Sequence, residues 1–404
     1  GRGAPVLLEV PSDVAMEQID ANPVTYTPVR SIKSAGDPAD VKSVASRLIN
    51  AERPVLYVGQ GVLWAQASDE LVRLAELLDA PVATTNSGKS AFPENHELAL
   101  GAAGNTVTKM ARHFVDNADV IFGVGVSFTT NLASMGIPQE KTLIQTTVDA
   151  NDLNKEHHLA DAIIGDCKLV LRQLIEEIDA QTSGAGVEHA DIRAEVASVR
   201  NEWLEEWMPL LTSEETPINP YRIIWDLMHT VDRDKTVVTH DSGHPRDQLI
   251  PFWESTVPRG YLGWGNSTQL GYSLGLVLGA KLAAPEKTFI NFMGDAAIGM
   301  AGMDIETGVR LNIPVMTIVL NNQVLSGYPA RYEAAVEKYG FTELYGDYAA
   351  IATALGAYGE RISDTAEIVP AINRGLAEMD KGRPVLLEFM TSEENRLSRY
   401  PAAG

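Results

Sequence analysis

The stretch Met293–Val324, MGDAAIGMAGMDIETGVRLNIPVMTIVLNNQV, constrains the fold more than any other part of this chain. Two apolar runs, Lys287–Asp295 and Ile313–Asn322, end in Gly294-Asp295 and Asn321-Asn322, with one helical stretch at Met303–Leu311 between them. That is a βαβ unit, and its two strands must lie parallel. Both polar pairs then sit at strand C-termini, where open α/β sheets bind ligands. An Asp and an Asn on adjacent loops supply hard oxygens that suit Mg²⁺, which keeps further positions for diphosphate oxygens. Gly294 permits close backbone approach, and the N-terminus of the helix after Ala297 favours an anion.

The same alternation of strand and helix runs through two blocks. Over 35–180 it includes RPVLYVGQG (Arg53–Gly61), a helical face at Ser68–Leu78, and the strands APVATT, ADVIFGVGVSF and KTLIQTTVD. A helix from Lys168 to Ile178 closes this block. The Gly/Ser/Thr-rich run at 181–195 reads as a linker. Over 196–404 come KTVVTHDSG, a helical stretch at Leu270–Ala283, the βαβ unit, a helix at Glu367–Met379 and the strand RPVLLEFM. The predicted fold class is α/β, with two doubly wound parallel-sheet domains.

Composition narrows the function classes. The 404 residues carry a formal net charge of −22, which argues against nucleic acid or an anionic membrane as partner. Cys167 is the only cysteine, so no intrachain disulfide forms, and no apolar run reaches the length of a membrane span. A cytoplasmic protein is expected.

GRGAPVLLEV at the start echoes GRPVLLEFM near the end, so Val6–Val10 reads as the buried last strand of a further α/β domain, with a linker following it through residue 34. The Gly-Asp and Asn-Asn pairs, together with RPVLYVGQGV, FPENHELALG and GYSLGLVLGAK, are similar to stretches of the thiamine-diphosphate enzymes of the acetohydroxyacid synthase (acetolactate synthase) type. The resemblance covers essentially the whole chain. It implies a middle domain at 35–180, a diphosphate- and Mg²⁺-binding domain at 196–404, and at 1–34 the tail of a pyrimidine-binding domain.

Carried onto matching positions, the resemblance implies Asp295, Asn322 and the Val324 carbonyl as Mg²⁺ ligands. It implies Gly294 and the amides of Ala296 and Ala297 beside the diphosphate, with Ser242, Gly243 and His244 in HDSGHP touching the same group. Leu270 is the apolar wedge beneath the cofactor, Thr268 and Leu270 present backbone to the aminopyrimidine, and Leu325 adjoins the cofactor. The activating glutamate of the family belongs to the pyrimidine-binding domain and is expected outside this chain. Either a longer polypeptide or a separate subunit supplies it, and an incomplete chain is the favoured reading. A homodimer or tetramer is implied.

The middle domain of relatives holds FAD or ADP. Here Trp64 stands where a third glycine would complete a dinucleotide fingerprint, and Ser127, Thr129, Thr130 and Asn131 replace the charged residues of FAD-binding members. Both departures weigh against FAD or ADP. Lys89 reads as a solvated loop lysine rather than a phosphate ligand. Beyond the metal motif, Tyr328, Arg331 and Tyr332 either bind a substrate carboxylate or pack. The function expected is a lyase/carboligase acting on a 2-oxo acid. The alternatives are a 2-hydroxyacyl-CoA lyase or oxalyl-CoA decarboxylase relative taking an acyl-CoA substrate, and a non-catalytic subunit of a split enzyme.

Overall fold

The computed structural model describes residues 3, 5–20, 25–29, 32–131, 134–263 and 269–401. Two six-stranded sheets organise it. The first comprises β1 (Pro54–Val58), β2 (Val82–Thr84), β3 (Ala99–Ala102), β4 (Val120–Val124), β5 (Thr142–Thr147) and β6 (Asp161–Ile164), in the order β3-β2-β1-β4-β5-β6. The second comprises β7 (Thr236–His240), β8 (Tyr261–Leu262), β9 (Thr288–Gly294), β10 (Met316–Asn321), β11 (Tyr358–Ile362) and β12 (Val385–Met390), in the order β11-β12-β10-β9-β7-β8. Every pairing within them is parallel. β1, β4, β7 and β10 are buried along their whole length, as strands covered by helices on both faces must be.

Each sheet reverses its winding at a central strand, and the second reverses again at its edge, where β12 inserts between β10 and β11. In the first the chain returns past β1 to lay down β4, and in the second it returns past β7 to lay down β9. These are the switch points, where the loops after neighbouring strands diverge and leave a crevice.

The helix Ile192–Leu211 begins inside the stretch read as a 181–195 linker. It joins the domains through an aromatic core, with Trp203 stacked on Phe252 at 4.8 Å and Trp207 edge-on to Tyr221 at 5.1 Å. One hydrophobic cluster runs through both sheets by way of this helix. Among the described residues no helix is long and apolar enough to cross a membrane.

Val6–Val10, expected as a strand of a further domain, pairs with no strand of either sheet here, and Val6, Leu7 and Leu8 are 90%, 94% and 82% exposed. Two expectations need correcting. Lys89 is buried, not solvated: its Nζ lies 2.5 Å from a Glu94 carboxylate oxygen and 5.5 Å from the centre of the Tyr261 ring. Glu94 also accepts from the Ser255 amide at 2.7 Å, so the pair seals the seam between the two domains. The stretch between the two strands of the βαβ unit is not one helix but Asp295–Ala301, a 3₁₀ turn at Gly302–Asp304, and Ile305–Arg310. Gly302 opens the break, since glycine is the weakest helix former after proline.

Candidate cofactor and metal site

β7, β9 and β10 lie side by side, with His240 opposite Phe292 and Gly294 opposite Leu320. Their C-terminal loops, Asp241–Gly243, Gly294–Asp295 and Asn321–Val324, therefore leave the same edge of the sheet at its switch point.

Asp295 is the first residue of its helix and 4% exposed. One carboxylate oxygen accepts from the Ala296 amide at 2.8 Å and the other from the Gln323 amide at 2.8 Å. Burial pushes this carboxyl above its ordinary range, opposed only by backbone N–H groups of Ala296, Gln323, Asn322 and Val324. No basic side chain is among the groups that act on it.

The Asn321–Val324 turn brings the other two predicted ligands beside Asp295. Asn322 donates through Nδ2 to Ser326 Oγ at 2.6 Å, and its Oδ1 accepts from the Val324 amide at 3.1 Å. Val324 faces Glu343 across a short antiparallel bridge. The bridging bonds run through neighbours, Leu325 N–H to the Thr342 carbonyl at 2.8 Å and Leu344 N–H to the Gln323 carbonyl at 2.9 Å. Val324's own carbonyl stays out of that ladder. Asn321 has a different task. Its Nδ2 donates to Glu388 at 2.7 Å and its Oδ1 accepts from Gln323 N–H at 3.1 Å. Glu388, fully buried on β12, is forked by Arg361 at 3.0 and 3.1 Å.

This donor set fits Mg²⁺. A carboxylate held by backbone amides alone, an amide oxygen and a carbonyl are hard ligands with a single protein charge among them. Among the described residues no group of three or more His, Cys, Asp or Glu forms a self-sufficient metal centre. An ion here needs anionic oxygens from a second ligand, and a diphosphate supplies them.

The predicted diphosphate residues adjoin the metal ligands. Ser242 is 5% exposed, and Gly243, at φ +82°, precedes the helix His244–Phe252. That left-handed turn suits glycine. A Cβ on Gly294 would lie 3.7 Å from Pro245, so the two loops touch. His244 is half-buried; burial lowers its pKa, with Asp247 opposing, so the imidazole is neutral at pH 7. Its ring carbon Cε1 lies 3.6 Å from where a Cβ on Gly327 would sit, so the segment after Asn322 folds back over this loop.

Two site expectations change. The Ala296 amide already serves Asp295, leaving Ala297 as the better-placed donor of the pair. The Asp295–Ala301 helix starts before Ala297 and has only seven residues, so individual amides rather than a helix field must meet the anion. Leu270 packs partly buried against the smaller hydrophobic cluster of the second domain. Leu325 is half-buried at the bridge. Thr268 lies outside the described residues. Tyr328 and Tyr332 are 46% and 47% exposed with rings 5.9 Å apart, and Arg331 is exposed beside them.

Sequence reasoning passed over Asp241. It is fully buried, and its carboxylate takes hydrogen bonds from Ser242, Gly271 and Ser273. Its place between β7 and the Gly243 turn was the available signal.

The chain matches two family models, the thiamine pyrophosphate enzyme central domain over residues 41–174 and the C-terminal TPP-binding domain over residues 241–389. It belongs to the thiamine pyrophosphate enzymes, of which it carries the central and TPP-binding domains. Among its relatives is a probable acetolactate synthase large subunit of Methanococcus aeolicus, 28% identical over 99% of this chain and 69% of the relative. The acetolactate synthase isozyme 3 large subunit of Escherichia coli is 27% identical over 96% of this chain and 68% of the relative. A sulfoacetaldehyde acetyltransferase of Alcaligenes xylosoxydans is 27% identical over 96% and 69%.

Proposed function

We propose that this chain holds thiamine diphosphate and Mg²⁺ in an enzyme that cleaves a 2-oxo acid and transfers the remaining fragment in C–C bond formation. The observation that carries the reading is the convergence of Asp295, Asn322 and the Val324 carbonyl at the switch point of the second sheet, beside the Ser242–His244 loop. Bound thiamine diphosphate supplies the carbon nucleophile and the electron sink that decarboxylation of a 2-oxo acid needs.

In this reading Asp295, Asn322 and Val324 hold the metal. Ser242, Gly243, neutral His244 and the Ala297 amide face the diphosphate. Leu270 supports the rings from below, and its backbone meets the aminopyrimidine. Arg331, exposed between Tyr328 and Tyr332, is the cation available to a substrate carboxylate. The acetolactate synthase relatives favour a 2-oxo acid as donor. The activating glutamate comes from a pyrimidine-binding domain, and the protein works in the cytoplasm as a dimer or tetramer. Exposed Leu276, Leu282, Met300 and Met303, on the helices that flank the site, support assembly through that face.

The test is CO₂ release and product analysis with pyruvate and other 2-oxo acids, using the protein in its full assembled form. Turnover that needs both thiamine diphosphate and Mg²⁺ supports the reading. Saturable cofactor binding with no decarboxylation of any 2-oxo acid excludes it in favour of another donor.

A further inference from the structure

The geometry points to Asp241 as a positioning residue that locks the loop facing the diphosphate to the loop facing the cofactor rings. The inference rests on the proposed cofactor reading. Asp241 is fully buried at the C-terminal end of β7 and still pairs its own amide with the Phe292 carbonyl at 2.7 Å. Its carboxylate spans two loops. On the diphosphate side, Oδ1 accepts from the Ser242 amide at 2.8 Å. On the other side, the Gly271 amide donates to Oδ1 at 3.0 Å and Oδ2 at 3.1 Å, while Ser273 donates to Oδ2 through its amide at 3.2 Å and Oγ at 2.7 Å.

These donors converge on a buried carboxylate that pairs with no lysine or arginine among the described residues, so backbone amides and one hydroxyl carry its stabilisation. Such charge-assisted bonds are stronger than neutral ones and directional. Gly271 and Ser273 flank the start of the Tyr272–Ala283 helix, directly after Leu270. Gly271 sits at φ +89°, and a Cβ there would come 3.0 Å from Ala301 Cβ, which adds a steric reason for this loop to keep its place. One side chain thus sets the distance between Ser242–His244 and Leu270. A rigid ligand that reaches both loops gains from that fixed distance; a ligand that reaches only the first does not.

The contrast gives the test. Kd is measured by calorimetry for Mg²⁺–thiamine diphosphate and for Mg²⁺ with inorganic diphosphate, on wild type, Asp241→Asn and Ser273→Ala. Asparagine keeps the shape but turns an N–H₂ toward the Ser273 amide. The expected result is that D241N weakens thiamine diphosphate about tenfold more than inorganic diphosphate. S273A, which removes only the hydroxyl bond, shifts the same ratio about twofold and serves if D241N fails to fold. Equal weakening of both ligands, or no change in either, overturns the inference and assigns Asp241 a purely local or structural role. Wild type that binds neither ligand overturns the cofactor reading itself, a different failure.

Discussion

Both sheets have a central switch point, between β1 and β4 and between β7 and β9, yet the two have opposite fates. In the first, Gly59 and Gly61 after β1 meet Gly125 after β4 backbone to backbone. The Gly61 amide donates to the Gly125 carbonyl at 3.0 Å, a Cβ on Gly61 would lie 2.7 Å from Gly125 Cα, and one on Gly59 would come closer still. The crevice is filled by the protein's own chain, and the glycines of VGQG have a structural reason that needs no nucleotide. In the second, the loop after β9 carries Asp295 beside a turn of hard ligands, and buried Asp241 after β7 ties the neighbouring loops in place. Topology provides the crevice in both; glycine packing closes one, and buried carboxylates keep the other for a ligand.

The strongest way to break this comparison is Asp295→Asn. It should weaken Mg²⁺-dependent diphosphate binding about hundredfold, since it removes the site's one protein charge. Stability should move the other way. Burial raises the Asp295 pKa, so the folded protein keeps that proton to higher pH than the unfolded chain does. The carboxyl therefore favours folding in acid and opposes it once pH rises through the folded-state pKa. Without cation at neutral pH, D295N should melt at or above wild type, and the gap should shrink as pH falls. Melting curves across pH with a chelator present check this.

Glycine substitutions sharpen the contrast. Gly59→Ala should cost about 2 kcal/mol by overpacking against Gly125 and leave diphosphate binding intact. Gly294→Ala should do the reverse. It sits at φ −88°, and its Cβ would meet Pro245 at an ordinary 3.7 Å, so stability holds while a ligand approaching the backbone is obstructed. Denaturant titration paired with calorimetry separates the two. The smallest effect expected is at Leu270. Truncation to Ala should weaken thiamine diphosphate about fivefold and inorganic diphosphate not at all, because the side chain is half-buried and would touch only the rings.

Much of this was legible in sequence because the signals were local. The Ser68–Leu78 helix follows from the spacing of Leu71, Leu74, Ala75 and Leu78, and all four are buried. The Gly-Asp and Asn-Asn pairs read as strand ends because apolar runs precede them, and β9 and β10 end there. What was missed depends on partners distant in the chain. Lys89 is buried because Glu94 and the ring of Tyr261, which lies 171 residues beyond Ser90, enclose it. The structural task of Asn321 has no mark in the sequence, because its partner Glu388 lies 67 residues on. β11, YGERI, carries Glu360 and Arg361 and shows no apolar run, since it is an edge strand. Asp241 is unremarkable in HDSGHP until Gly271 and Ser273 close on it.

The central claim is that one switch point binds a diphosphate cofactor through Mg²⁺ and the other binds nothing. Calorimetric titration of the assembled protein with thiamine diphosphate, first with Mg²⁺ and then with excess chelator, followed by FAD and ADP, tests it most directly. The account predicts one equivalent of thiamine diphosphate per chain, lost on chelation, and no heat from either nucleotide. Binding that survives chelation, or a further equivalent taken up as FAD or ADP, would contradict it.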